Sequence, residues 1–234
     1  MQRLLLLGCV LVVVTLSTGC SGNADEPAPA AATTSQTPFF VDTFDRLDEV
    51  RWTTGVPHQL GRSRIDPANV EVEPGILRLG LSAGALDGAE LKTQGVVPRA
   101  VYRTRLMAAK APDSVTGFFL YSPPDLAQEV DIELYNRADG TVRLTTYDAG
   151  KMTATRELTL GFDPTAGYHD YAIALTDAGV EFYADDVLLQ AWSAGVPTTP
   201  MNLYLNVWYP QWLGGVPTPD SQATTVQMVS VLPR

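Results

Sequence analysis

The chain has 234 residues, with 16 Lys and Arg against 26 Asp and Glu, a formal charge of −10 and a pI near 4.6. That balance leaves no basic surface of the kind nucleic acids or strongly anionic polymers require, so nucleic acid is excluded as a partner and a neutral polysaccharide is favoured. Both cysteines, Cys9 and Cys20, fall near the N-terminus, leaving the rest of the chain with none for an intrachain disulfide.

Arg3 followed by the apolar run 4–16 has the charged start and short hydrophobic core of a secretory signal, too short for a spanning helix. Residues 1–20 are read as that signal. Its end, Leu16-Ser17-Thr18-Gly19-Cys20, resembles a bacterial lipobox in which Ser17 takes the place where Leu is commonest. Cys20 is therefore the expected lipidation site and membrane anchor of a cell-surface or periplasmic lipoprotein, with ordinary cleavage and full secretion as the alternative. Residues 21–37 are small, polar and proline-containing, which marks a flexible tether.

Residues 38–234 are long enough for one all-β domain with a substantial core. Short alternating or apolar runs recur at 70–72, 76–79, 101–106, 117–121, 128–135, 142–145, 171–175, 180–183, 201–205 and 226–229. Turn formers such as Glu73-Pro74-Gly75, Ala138-Asp139-Gly140 and Asp177-Ala178-Gly179 separate them. No long helical stripe and no fixed repeat stands out, and the pattern predicts a two-sheet antiparallel sandwich.

Within the run 128–135, Glu129, Asp131 and Glu133 fall at i, i+2 and i+4. A strand puts all three on one face while Val130, Ile132 and Leu134 enter the core. A solvent-facing strand with an acidic outer row has the same alternation, but three adjacent like charges repel unless a site uses them. Glycoside hydrolysis is such a use: one carboxylate attacks the anomeric carbon and a second, kept protonated, gives its proton to the leaving oxygen. Asp131 is then expected to hydrogen-bond Glu129 and hold its pKa down, while the crowded charge raises that of Glu133. Flat strand separates the outer two Cα atoms by about 13 Å, whereas retaining enzymes hold their carboxyls roughly 5–5.5 Å apart. The motif asks for a curved sheet.

Glu129-Val130-Asp131-Ile132-Glu133 resembles the Glu-x-Asp-x-Glu signature of glycoside hydrolase family 16, which contains bacterial lichenases and laminarinases. Leu160-Gly161-Phe162-Asp163, Tyr168-His169-Asp170-Tyr171, Val180-Glu181-Phe182-Tyr183-Ala184-Asp185, Asn206-Val207-Trp208 and Trp212-Leu213-Gly214 extend the likeness in order, over about residues 39–232. The resemblance implies a concanavalin A-like β-jelly roll, a sandwich of two curved antiparallel sheets. It also implies a retaining mechanism with Glu129 as nucleophile, Asp131 as assistant and Glu133 as acid/base, needing no cofactor.

Trp208 and Trp212, flanked by Pro and Gly, are expected in a loop or rim where indoles stack on sugar rings, whereas Trp192 beside Leu188 and Leu189 is expected in the core. By the same resemblance Tyr121, Tyr147, Asn206, Asn69 and Glu90 are cleft residues, although Asn69 and Glu90 fit equally well as structural polar groups. His169 is expected to be structural, and with His58 it gives no metal-ligand spacing. Two departures stand out. Ala127 occupies a position where lichenases carry Trp, and Gln227 occupies one where several members carry a calcium-binding Asp, so calcium is not expected. The functions to weigh are a monomeric endo-β-glucanase on β-1,3- or mixed β-1,3-1,4-glucan, a transglycosylase on the same fold, and a non-catalytic carbohydrate-binding lipoprotein.

Overall fold

A computed structural model describes residues 37–234; the signal segment, all but the last residue of the tether, and Cys20 lie outside the described residues. In chain order, β1 (Phe40–Asp42), β2 (Trp52–Thr53), β3 (His58–Leu60) and β4 (Ser63–Ile65) precede a single 3-10 turn, Pro67–Asn69. Then come β5 (Val70–Glu73), β6 (Ile76–Leu81), β7 (Asp87–Thr93), β8 (Val101–Met107), β9 (Val115–Ser122) and β10 (Gln128–Tyr135). The remainder is β11 (Thr141–Asp148), β12 (Lys151–Thr159), β13 (His169–Thr176), β14 (Gly179–Ala184), β15 (Val187–Trp192), β16 (Asn202–Trp208) and β17 (Gln222–Leu232).

These strands form the curved two-sheet jelly roll that the alternation and the resemblance predict. One sheet runs β15-β14-β13-β8-β17-β6-β5 with β1 added to β17, and the other runs β12-β11-β10-β9-β16-β7-β4-β3 with β2 added to β7. Every expected run lies in or overlaps a strand. One detail departs from an all-antiparallel sandwich: β4 pairs parallel with β7, because the chain reaches β7 from β4 only after crossing to the other sheet for β5 and β6. The short strands β1 to β4, together with β7, β12 and β15, were not among the expected runs, and β12 is the longest of them. Its outward edge position leaves Lys151–Thr159 largely exposed, so no apolar alternation announces it.

The core lies between the sheets. Leu77, Leu79, Tyr102, Leu106, Ile173, Phe182, Val226 and Val229 from one face meet Leu91, Phe118, Leu120, Val130, Ile132, Leu144, Leu203 and Leu205 from the other. In the first sheet, β6, β8 and β14 alternate strictly between buried and half-exposed residues, as a sheet with one wet face must. β9 and β16, in the middle of the second, are almost wholly buried on both faces. Something therefore covers the outer face of the second sheet, and it is there that the acids stand.

The chain's start is tied down by Asp42, which is 8% exposed. Its carboxylate accepts from Phe44 N at 2.9 Å, Trp52 Nε1 at 2.8 Å and Arg51 Nη1 at 3.2 Å. Removing it strands buried donors. Asp42→Ala is expected to cost about 2–4 kcal/mol, read as a lower urea midpoint at unchanged slope.

Candidate active site

β10 lies between β11 and β9, and the ladder register sets three rows of side chains on one face. Glu129 stands between Tyr147 and Tyr121. Asp131 stands between Thr145 and Phe119, and the row continues through Tyr204 of β16 to Lys92 of β7. Glu133 stands between Arg143 and Gly117, and its row continues to Asn206 and Glu90.

These rows form the floor of a cleft of about 870 Å³. Its apolar part is aromatic: Phe119 stacks on Tyr204 at 4.9 Å between centroids, and Tyr121 meets Tyr204 edge-on at 5.7 Å. His58, Gln59 and Leu60 of β3 bound one flank, Asp125 and Leu126 of the β9–β10 turn another, and Gln211 and Trp212 rise on the third. Flat apolar faces with polar groups at the rim suit a sugar chain. A smaller hollow of about 450 Å³ on the other sheet, beside Trp192 and Glu181, has no such cluster of acids.

Gly117 keeps the third row open. A Cβ there would lie 2.4 Å from Asn206 Oδ1, so only glycine lets that amide lie beside Glu133. Asn206 Oδ1 and Asp131 Oδ1 are both buried without a protein partner, polar atoms that a ligand or water can satisfy.

Burial dominates the electrostatics of the trio. It pushes Glu129 up to about 8, with Glu133 and Asp125 adding to the effect, and Glu133 up to about 7 against the opposing charge of Arg143. Asp131, 4% exposed, is raised by burial and then by its two neighbours, with Arg143 and the Thr145 hydroxyl opposing. The expected Asp131–Glu129 hydrogen bond is absent among the described residues, and Glu129 is raised, not held down. Three carboxyls drawn from water beside one cation cannot all ionise near neutrality, so they share protons as a group. Glu90 is raised by burial, against His58, Lys92 and Asn206.

The sequence model of glycosyl hydrolases family 16 matches residues 63–227. The chain belongs to this family. A β-glucanase of Paenibacillus macerans is 30% identical over 150 residues, 60% of this chain and 63% of that relative. Xyloglucan endotransglucosylase/hydrolase protein 24 of Arabidopsis thaliana is 27% identical over 143 residues, 57% of this chain and 53% of that protein. The chain spans about three-fifths of the length of the bacterial β-glucanases it matches. In fold it is similar to the β-glucanase of Bacillus licheniformis, with a TM-score of 0.76 at 23% identity over 83% of this chain and 98% of that one. A laminarinase catalytic domain from Thermotoga petrophila gives 0.73 at 18% identity over 84% and 97%.

Of the residues expected in this family 16 cleft, Glu129, Asp131, Glu133, Tyr121, Tyr147, Asn206, Glu90, Trp208 and Trp212 all line it. Asn69 does not. Its amide donates to Asp87 Oδ2 at 3.2 Å and to the Gly88 carbonyl at 3.0 Å, which makes it a structural tie. Trp208 is not in a loop: it ends β16, is 9% exposed and packs with Ile65, Val115 and Tyr135. Trp212 is 49% exposed, edge-on to Trp208 at 5.3 Å. Trp192 packs edge-on against Phe182 at 5.3 Å as a partly buried core residue. His169 is structural, with Nδ1 2.7 Å from Asp185 Oδ2 and its ring stacked on Phe162. Arg105 Nε donates to the amide oxygen of Gln227 at 3.2 Å.

Sequence reasoning missed Phe119, Tyr204, Lys92, Arg143, Thr145, Asp125 and His58. The period of two held a signal for some: Phe119 lies two residues before Tyr121, and Tyr204 two before Asn206.

Two outcomes follow for the tryptophans. Trp212→Ala is expected to leave the fold intact and weaken binding of a sugar chain in the cleft by about 1–3 kcal/mol, measured by calorimetry with oligosaccharides. Trp208→Ala is expected to destabilise the fold by about 3–5 kcal/mol, measured in urea. The raised carboxyls also fix a sign. Between the ordinary 4.5 and about 8, folded Glu129 keeps a proton that the unfolded chain has lost, so its contribution to stability falls as pH rises through that window. Glu129→Gln is expected to raise the melting temperature by a few degrees at pH 8 and to match the wild type near pH 4.5.

Proposed function

We propose that this chain is a retaining endo-β-glucanase acting on β-1,3- or mixed β-1,3-1,4-glucan. The observation that carries this is three acids from one strand on the floor of an aromatic cleft, in a chain of family 16. In the state of the proton-sharing trio that has Glu129 ionised and Glu133 protonated, Glu129 attacks the anomeric carbon while Glu133 gives its proton to the glycosidic oxygen and the carbon–oxygen bond breaks. Water then attacks the glycosyl-enzyme, Glu133 takes a proton from it, and the two inversions give net retention. Asp131 holds part of the shared charge. No step requires a cofactor. The β-glucanase names of the bacterial relatives support the substrate class. So does the charge of the cleft: Lys92 lies beside Glu90 on β7 and Arg143 stands opposite Glu133, and the acids Glu90, Asp125, Glu129, Asp131 and Glu133 outnumber these cations, which does not suit an anionic polymer.

Two observations favour a second reading, transglycosylation, in which an acceptor sugar replaces water. Relatives named xyloglucan endotransglucosylases match the chain. Where lichenases carry a sugar-stacking Trp, Ala127 instead closes a turn by donating to the Pro124 carbonyl at 2.8 Å. Export and anchoring through Cys20 are part of the proposal.

Glu129→Ala with azide is expected to give the inverted glycosyl azide. Glu133→Ala with azide and an activated substrate is expected to give the retained one. Exchange of these outcomes would exchange the two roles, and undiminished hydrolysis in either variant removes the trio from the mechanism. Reducing-end assays on barley glucan, laminarin, agarose and xyloglucan identify the substrate, and products longer than the substrate when acceptor is added identify the transglycosylase. The wild type is expected in the membrane fraction and Cys20→Ala in the soluble one.

A further inference from the structure

The acidic trio meets a cation from the neighbouring strand that the sequence did not single out. Arg143 of β11 stands directly opposite Glu133, and on its other side opposite Glu157 of β12. Its Nε donates to Thr155 Oγ1 at 3.5 Å, and its guanidinium carbon lies 5.5 Å from the Trp212 ring centroid. The acid on the far side is already engaged, because Glu157 Oε2 accepts from the Tyr135 hydroxyl at 2.9 Å. Among the described residues Arg143 forms no contact ion pair, and its two terminal nitrogens have no hydrogen-bond partner. It is a fixed cation at the cleft wall, held near Glu133 and out of contact with it.

We propose that Arg143 is a positioning residue for the acid/base step: its charge, kept at a distance by Thr155 and Trp212, sets how readily Glu133 takes up and releases the proton. The proposal rests on the reading of Glu133 as acid/base. That role sets two opposite requirements on one carboxyl. In the first step it must carry a proton to give, and in the second it must be ionised to take one. A contact pair with arginine lowers a carboxyl by roughly 1–3 pK units, which would leave Glu133 ionised and without a proton to donate. With no cation at all, burial beside two other acids would make the proton too hard to remove. A guanidinium out of contact gives an intermediate field.

The surroundings leave Arg143 as the group suited to this. On its own strand Glu133 has the acids Asp131 and Glu129 on the same face, and on the other side Tyr135, whose hydroxyl donates to Glu157 and which is itself raised mainly by burial; none of the three is a cation. Across β9 the facing position is Gly117, without a side chain, and beyond it the row ends in Asn206 and Glu90. Lys92 and His58 act on Glu90, at the far flank. On β11 the other titratable neighbour is Tyr147, itself raised by burial and by the acids and lowered by Arg143. The same guanidinium opposes the rise of Asp131 and Glu133.

The test compares the full chain with Arg143→Met and Arg143→Lys, following the side-chain carboxyl of Glu133 by carbon-13 NMR and the pH profile of kcat/KM on barley glucan. The Glu133 signal is assigned by its loss in Glu133→Gln. Arg143→Met is expected to raise the Glu133 titration and the basic limb of the profile by about one pH unit, while Arg143→Lys keeps both near the wild type. Thermal melts check the fold, and Arg143→Gln is the second neutral variant if Met unfolds the protein. A Glu133 titration unmoved in the neutral variants overturns the proposal, as does an equal shift in Lys and Met. If the wild type hydrolyses no glucan, the glucanase reading fails alone, and the carboxyl titration still decides whether Arg143 controls Glu133.

Discussion

Three carboxyl groups drawn out of water on one strand are the constraint around which the cleft is arranged. Each would be comfortable in solvent and is costly where it stands, because desolvation and mutual repulsion act in the same direction. The chain meets this cost by leaving the trio short of full ionisation near neutrality and by supplying one cation, Arg143, from the next strand. The strain on the acids is also their use, since a carboxyl that keeps its proton near pH 7 can donate it.

The sheet makes this arrangement possible through register more than through any single contact. Pairing β10 with β11 and β9 aligns each acid with a chosen neighbour on both sides: tyrosines beside Glu129, Thr145 and Phe119 beside Asp131, Arg143 and Gly117 beside Glu133. A slip of one residue would turn the acids into the core and Val130, Ile132 and Leu134 outward. The buried apolar row therefore holds the acidic row in place. Glycines refine the fit, with Gly117 making room for Asn206. At Gly61, where φ is +54, a Cβ would lie 2.5 Å from the Trp208 ring.

Aromatic groups divide into two kinds by what lies beneath them. Phe119, Tyr204 and Tyr121 form a mutually packed floor whose positions are fixed by the sheet. Trp208 belongs with them as a strand residue that closes one end of the cleft, covered by Gly61 and β4. Trp212 is different. It stands half in solvent on the connection after β16, touching Trp208 along one edge with Arg143 over its ring. It joins the aromatic wall of the cleft to the guanidinium of Arg143.

The sequence by itself determined the acid trio, the all-β class and most strand positions, because a period of two written in apolar and polar residues is a local property and strands obey it locally. It also carried the family likeness, since that too is read along the chain. It did not reveal the short strands β1 to β4, nor β7, β12 and β15, of which β12 has an outward edge position with no buried face to write a pattern, nor the parallel contact of β4 with β7, which joins segments separated by an excursion through the other sheet. It left Asn69 open between cleft and structural tie and misplaced Trp208 in a loop or rim, because whether a polar or aromatic side chain faces a cleft depends on what covers it from elsewhere in the chain. Only the tertiary structure decided which residues share the rows with the acids: Arg143 and Gly117 pair with Glu133 directly, and Asn206 and Glu90 extend its row across two further strands, through ladder pairing alone. The ionisation of the trio was decided there too, because burial and the distance to a charge are set by the packed sheet and not by the order of residues along the strand.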